Sequence, residues 1–195
     1  MTDAVHWVGI SGSLRKESFN TWLLHAVNEL LPPDVTMDIL PIADIPLYNG
    51  DLDIPAVNKR PDAVNIFREA LAKADGIVIV SPEYNYSIPG GLKNAIDWAS
   101  RGEDSPLLKK PVALLGATPG MWGTVRMQQA FHPLFQFLNM QPVYQPEILI
   151  AQAKEKFDSR GKLTDEKAKQ LIRKKLENLQ KLTEKCKSEK ELVAV

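Results

Sequence analysis

At 195 residues, with 44% hydrophobic and 25% charged side chains, the chain has the length and composition of one soluble globular domain. Its 24 lysines and arginines are balanced by 24 aspartates and glutamates, so no net field directs it to nucleic acid or a membrane surface. No apolar run is long enough to span a bilayer, the N-terminus shows no basic region or cleavage signal, and one cysteine, Cys186, excludes a disulfide framework or a Cys-rich metal site; a cytoplasmic protein is expected.

Apolar runs with β-branched residues alternate with segments of helical period, the pattern of a parallel sheet covered on both faces. Val5–Ser11 (VHWVGIS) is predicted as the first strand. A helix follows with Trp22, Leu23, Ala26, Val27 and Leu30 on one face, and Pro32-Pro33 stops it. Val35–Leu40 is predicted as the second strand, at an edge because only half its residues are apolar. Residues 41–61 hold four prolines and are too long for a routine loop, so a folded flap is expected. Asp62 is predicted to cap a helix with Val64, Phe67 and Leu71 inward. Gly76–Ser81 (GIVIVS), the most hydrophobic strand, should be central.

Leu92, Ala95, Ile96 and Ala99 mark the next helix, and Pro111–Gly116 (PVALLG) the fourth strand. Met127, Ala130, Phe131, Leu134, Phe135 and Leu138 form a helical stripe that Pro133 is expected to kink or shorten. Residues 143–150 contain the fifth strand, interrupted by Pro146. The last helix is predicted from an N-cap at Thr164, with Asp165 and Glu166 in its first turn, to about residue 187. Right-handed, un-knotted connections make the order 2-1-3-4-5 the simplest arrangement. Residues 1–195 are thus read as a single flavodoxin-like α/β domain, a three-layer sandwich with a five-stranded parallel sheet.

In such a sheet ligands bind beyond the carboxyl ends of the strands where strand order reverses, here between strands one and three. The loop at residues 12–20 (GSLRKESFN) gathers Ser13, Ser18 and Asn20 as hydrogen-bonding side chains and Arg15 as a charged fork of donors. The start of the following helix adds unpaired N–H groups and a positive dipole end, so the loop suits a phosphate monoester. The plainer reading, in which Ser18 only caps the helix and Arg15 is solvated, leaves this clustering of donors unexplained. The loop has no Gly-x-Gly-x-x-Gly, no Gly-Lys-Ser/Thr pair and no cysteine, which sets aside dinucleotide, triphosphate and Cys-phosphatase loops.

The loop at residues 81–91 (SPEYNYSIPGG) combines two prolines, the flat faces of Tyr84 and Tyr86, polar Asn85, and Gly90-Gly91 for close backbone approach. That mixture suits a planar heteroaromatic ligand. The loop at residues 116–123 (GATPGMWG) has three glycines, and Trp122 is placed either to shield a flat ligand or to contact a second subunit.

GSLRKESFN followed by SPEYNYSIPGGLKNAIDWAS resembles the NAD(P)H-dependent FMN reductases, a flavodoxin-like group that includes quinone, chromate and azo-dye reductases. The resemblance runs from Val5 to about Ile150. It implies one non-covalently bound FMN, NADPH or NADH as co-substrate, and a homodimer or homotetramer. Carried over by motif, Ser13, Arg15, Ser18 and Asn20 would hold the FMN phosphate, with Phe19 beside them. Pro82, Glu83, Tyr84 and Asn85 would lie along the isoalloxazine ring, largely through backbone groups, and Ala117 would touch the flavin or its ribityl chain.

The reaction so implied passes hydride from the nicotinamide to the flavin and then electrons to small acceptors such as quinones, free flavin, azo compounds or chromate. The flavin carries the chemistry, so no catalytic side chain and no metal ligand is assigned. His6, His25 and His132 fall outside the three loops. The partners expected are small-molecule acceptors, with no nucleic acid and no membrane insertion. The alternative is a flavodoxin-type electron carrier without nicotinamide activity, although such carriers are usually strongly acidic. A phosphoryl or glycosyl transferase using the same anion loop would need a pocket nucleophile or carboxylate beyond Glu83.

Overall fold

The computed structural model describes residues 4–54 and 60–193. The elements in chain order are β1 (Val5–Ser11), α1 (Phe19–Glu29), β2 (Val35–Leu40), α2 (Asp62–Lys73), β3 (Gly76–Val80), α3 (Gly90–Ala99), β4 (Pro111–Ala117), α4 (Val125–Phe137), β5 (Gln141–Pro142), β6 (Ile148–Ile150) and α5 (Glu166–Val193). The sheet has the order β2-β1-β3-β4-β5, with β6 also paired to β4, and every pairing is parallel. This is the expected flavodoxin-like order.

Both faces of the sheet are buried, and the period-2 alternation of the strands divides their side chains between two cores. Val5 and Trp7 of β1, Val78 and Val80 of β3, and Ala113 and Leu115 of β4 face α1 and α5. Val8, Ile10, Ile77, Ile79, Val112 and Leu114 face the layer of α2, α3 and α4. Each fully buried aliphatic side chain contributes about 1.5–3 kcal/mol. The C-terminal helix belongs to this scaffold: Ile172, Leu176 and Leu179 are fully buried. Thr183 there accepts a hydrogen bond from Nε1 of the buried Trp7 at 3.2 Å.

Local chemistry shifts several predicted boundaries. The fifth strand is divided: β5 pairs with Pro111 and Val112, whereas β6 pairs with Leu115, Gly116 and Ala117. Pro142 and Pro146 have no N–H to give to a ladder, so the chain leaves the sheet between them. Pro61, not Asp62, occupies the cap of α2, and its carbonyl accepts from Val64 and Asn65. Asp165, not Thr164, caps α5, accepting from the Ala168 N–H at 2.7 Å, while the Thr164 hydroxyl donates to the Lys156 carbonyl. α4 is not shortened at Pro133 but runs through it. Pro133 and Gln129 are both exposed, so the carbonyl that loses its donor faces water.

The flap expected over residues 41–61 is described for 41–54 and 60–61. Pro46 accepts from Asn94 and from Trp98 Nε1, each at 2.8 Å, and the Tyr48 N–H donates to Asn94, so this segment lies on α3. Arg68, which the helical pattern does not single out, is buried and donates to the carbonyls of Trp98 and Ala99 at the end of α3. A cation there complements the helix dipole.

Lys175 of α5 is buried, with its ammonium 3.3 Å from the Tyr144 carbonyl. Burial lowers its pKa to about 8, against a smaller opposing effect of Glu147. Below about pH 8 both folded and unfolded chains carry this charge, and its burial costs stability in full. Between pH 8 and its ordinary value of 10.5 the unfolded chain binds the proton more tightly, so this cost falls as pH rises. Lys175→Met should therefore raise the unfolding free energy at pH 7 by about 1–3 kcal/mol, with most of the gain lost by pH 10. Urea denaturation at the two pH values checks this, and a gain independent of pH would contradict it.

Candidate functional site

The register of the sheet brings the carboxyl ends of β1, β3 and β4 side by side. Ser11 pairs with Val80, the Gly12 N–H donates to the Val80 carbonyl at 2.8 Å, and the Ser81 N–H donates to Leu115 at 3.0 Å. The three loops leave from this row with almost no space between them. A Cβ at Gly12 would collide with the Ser81 side chain, and one at Gly116 with Thr124 and the Ser81 carbonyl. These two glycines are required by close approach of backbone, not by an unusual φ.

In the first loop Ser18 is the N-cap of α1, its Oγ accepting from the Asn20 N–H at 3.2 Å. That bond uses the oxygen as acceptor and leaves its hydroxyl proton free to donate. Ser13 is buried and its Oγ accepts from the Arg15 N–H. The backbone N–H groups of Lys16, Glu17, Ser18 and Phe19 have no hydrogen-bond acceptor among the described residues. Arg15 is exposed and makes no ion pair among the described residues. Two hydroxyls and a run of free amides therefore lie in the loop that ends at the positive end of α1, with the exposed Arg15 in the same loop, a set that fits a phosphate monoester.

Asn20 has a different position from the other candidates. It is buried, and its amide is bonded in both directions to Ala117: Nδ2 donates to the carbonyl at 2.9 Å and Oδ1 accepts from the N–H at 2.8 Å. It ties α1 to the end of β4 and thereby fixes Ala117 beside the anion loop. Phe19 packs its ring against Trp22 and Phe157, with centroids 5.4 and 5.6 Å away.

The second loop is closed on itself by two hydrogen bonds between Tyr84 and Ser87, of 3.1 and 3.0 Å. Its central residues, Asn85 and Tyr86, both have left-handed φ, 49° and 66°, as a tight hairpin turn of type I′ demands. Asn tolerates that region, whereas a tyrosine there is uncommon. Tyr84 and Tyr86 are 51% and 69% exposed, so neither ring is spent on the core. At the start of α3, Gly90 has open space where a side chain would stand, and Gly91 meets only Leu14.

The third loop is pinned below by bonds from Thr118 to Ile150, Gln152 to Gly120 and Ala153 to Thr118. Above, Met121 and Trp122 are exposed. The Glu83 carboxylate reaches across to α4, accepting from the N–H groups of Arg126 and Met127 at 3.0 and 3.1 Å. The Arg126 guanidinium lies over the Tyr86 ring at 4.2 Å and the Trp122 ring at 5.1 Å. Arg126 and Thr124 were not foreseen. A basic residue in the first turn of a helix opposes the dipole, and that mismatch is the signal that could have marked Arg126 as partnered elsewhere.

The predicted phosphate and ring residues thus share one edge of the sheet. His6 lies away from it beside Thr36 and Asp38, and His132 beside Tyr144. A cavity of about 440 Å³ between Lys109, Gln141 and Cys186 is at the opposite, amino end of β4 and β5. No cluster of potential metal ligands occurs among the described residues, and no helix among them is long and apolar enough to cross a membrane.

Comparison with known proteins agrees with this arrangement. Residues 5–155 match the family described as NADPH-dependent FMN reductase. An NAD(P)H-dependent FMN reductase of Pseudomonas aeruginosa is 43% identical over 180 residues, covering 92% of this chain and 96% of that protein. A quinone reductase of Escherichia coli K12 is 40% identical over 168 residues, covering 85% and 88%. Among solved structures, FerB, a flavoenzyme NAD(P)H:(acceptor) oxidoreductase from Paracoccus denitrificans, superposes with a TM-score of 0.82 at 30% identity, covering 93% of this chain and 98% of that one. The chain is an enzyme of the NADPH-dependent FMN reductase family.

Proposed function

We propose that the protein holds one FMN at the carboxyl edge of the sheet and uses it to reduce quinones and related small acceptors with NADPH or NADH. The observation that carries this is the clustering of Ser13, Arg15, Ser18 and the free amides of residues 16–19 in one loop at the start of α1, at the same edge of the sheet as the two-tyrosine loop. Relatives named as quinone reductases support the choice of acceptor.

FMN held by these residues would supply the redox chemistry, hydride acceptance from the nicotinamide and electron delivery to the acceptor. The chain's own task is to bind and orient. Ser13, Ser18, Arg15 and the amides of residues 16–19 would hold the phosphate, with Phe19 packed behind them. Asn20 keeps Ala117 in place at the flavin's side. Pro82, Glu83, Tyr84 and Asn85 would present backbone along the ring. Exposed Tyr84, Tyr86 and Trp122 leave an open, partly aromatic mouth suited to planar acceptors. Donor and acceptor would use this mouth in turn, so double-reciprocal plots at varied acceptor should be parallel.

Purified protein, heat-denatured and chromatographed, should release FMN and no FAD, because a single anion site leaves nothing for an adenosine diphosphate. Recovery of FAD, or of no flavin after reconstitution, would contradict the reading. Arg15→Ala should weaken FMN binding about tenfold to a hundredfold, since a charged hydrogen bond contributes about 1.5–3 kcal/mol, without lowering thermal stability. Unchanged affinity would remove Arg15 from the phosphate. Tyr84, Tyr86 and Trp122, with Leu47 and Met121, are large apolar side chains left exposed, which supports a homodimer or homotetramer closing the mouth. Light scattering at micromolar concentration should give twice or four times the 21.8 kDa chain mass, and a fully active monomer would contradict this.

A further inference from the structure

The loop that would run along the flavin ring has a tyrosine at a left-handed position of its turn, which adds local strain. Two of its residues, Asn85 and Tyr86, sit at left-handed φ, and such geometry persists only where surrounding contacts impose it. One such contact, besides the Arg126 guanidinium over Tyr86, is the side chain of Glu83. Its Oε2 accepts from the N–H groups of the second and third residues of α4, the two donors that an N-cap side chain ordinarily satisfies.

The residue in the cap position of α4, Thr124, does not satisfy them. It has φ of 69°, rare for a β-branched residue, and its buried hydroxyl has no hydrogen-bond partner. Glu83 therefore caps α4 from 43 and 44 residues away, adding a negative charge where the helix dipole favours one. Its other oxygen lies 3.6 Å from Arg126, whose guanidinium in turn sits over Tyr86 and Trp122. The ring loop, the third loop and α4 are clasped through this one carboxylate.

We propose that the Glu83 side chain is a positioning residue for the flavin ring: by capping α4 in trans it holds the backbone of Pro82–Asn85 in the conformation that meets the ring. This rests on the functional reading above, and it assigns Glu83 a role separate from the phosphate loop. The two grips should accordingly be separable by flavins with and without a phosphate.

The test is titration of the flavin-free protein with FMN and with riboflavin, followed by flavin fluorescence and visible absorption. Glu83→Ala should weaken both flavins by the same factor, about tenfold or more, and alter the visible band shape of whatever flavin binds. Glu83→Gln, which keeps an oxygen for both amides, should restore affinity to within a few-fold of the parent. Arg15→Ala should weaken FMN and leave riboflavin unchanged. Should Glu83→Ala fail to fold, Arg126→Ala serves, with a smaller, equal weakening of both flavins because the ring loop loses the stack on Tyr86. Unchanged binding of both flavins by the Glu83 and Arg126 variants would overturn the proposal alone, as would an effect on FMN only. A parent protein that takes up neither flavin would overturn the functional reading, and this proposal with it.

Discussion

At the carboxyl ends of β1, β3 and β4 the chain is packed so tightly that neither Gly12, against the Ser81 and Leu92 side chains, nor Gly116, against Thr124 and the Ser81 carbonyl, has room for a Cβ. Parallel pairing in register places Ser11 beside Val80 and Val80 beside Leu115, so the three loops start in a row, each one strand spacing from the next. Everything at the site follows from that crowding. Short side chains fill the row itself, and the loops diverge only after it, each carrying its polar groups to the same small volume. Alanine at either glycine would separate loops that the site needs together.

Two long-range hydrogen-bond pairs then convert proximity into a fixed arrangement. The Asn20 amide joins α1 to Ala117 across 97 positions of sequence. The Glu83 carboxylate joins the ring loop to α4. Both lie at helix starts, where unpaired N–H groups make a polar partner valuable. The segment leading into the first helix keeps the amides of residues 16–19 free, whereas the fourth helix has two of its own taken by Glu83. That difference in capping separates an end open to an outside anion from one satisfied within the chain.

The fold was legible because a buried parallel sheet writes itself as short apolar runs, and β1 and β2 match their predicted bounds to the residue. The cap positions were not: whether Asp62, Pro61, Thr164 or Asp165 ends a helix depends on backbone angles that composition leaves open. α5 lies outside the loop motifs, yet its apolar stripe of Ala168, Ile172, Leu176 and Leu179 packs in one of the two cores of the sheet. At the site, the residue types that suit an anion and a flat ring stood together in two loops and could be read directly. What they do to one another could not. Asn20 reads as one more donor until Ala117 is beside it, and Glu83 reads as a backbone contact until α4 is. Arg126 was overlooked for the same reason, its partners Tyr86 and Trp122 coming from two different loops.

In the proposed function a phosphate monoester sits at the start of α1 while Asn20 remains bonded to the end of β4. A crystal structure of the protein with FMN measures this directly. The phosphate oxygens should lie within hydrogen-bond distance of the Ser13 and Ser18 hydroxyls and of amides among residues 16–19, with the Asn20–Ala117 pair intact. A phosphate found elsewhere on the chain, or bound through an Asn20 side chain released from Ala117, would contradict it.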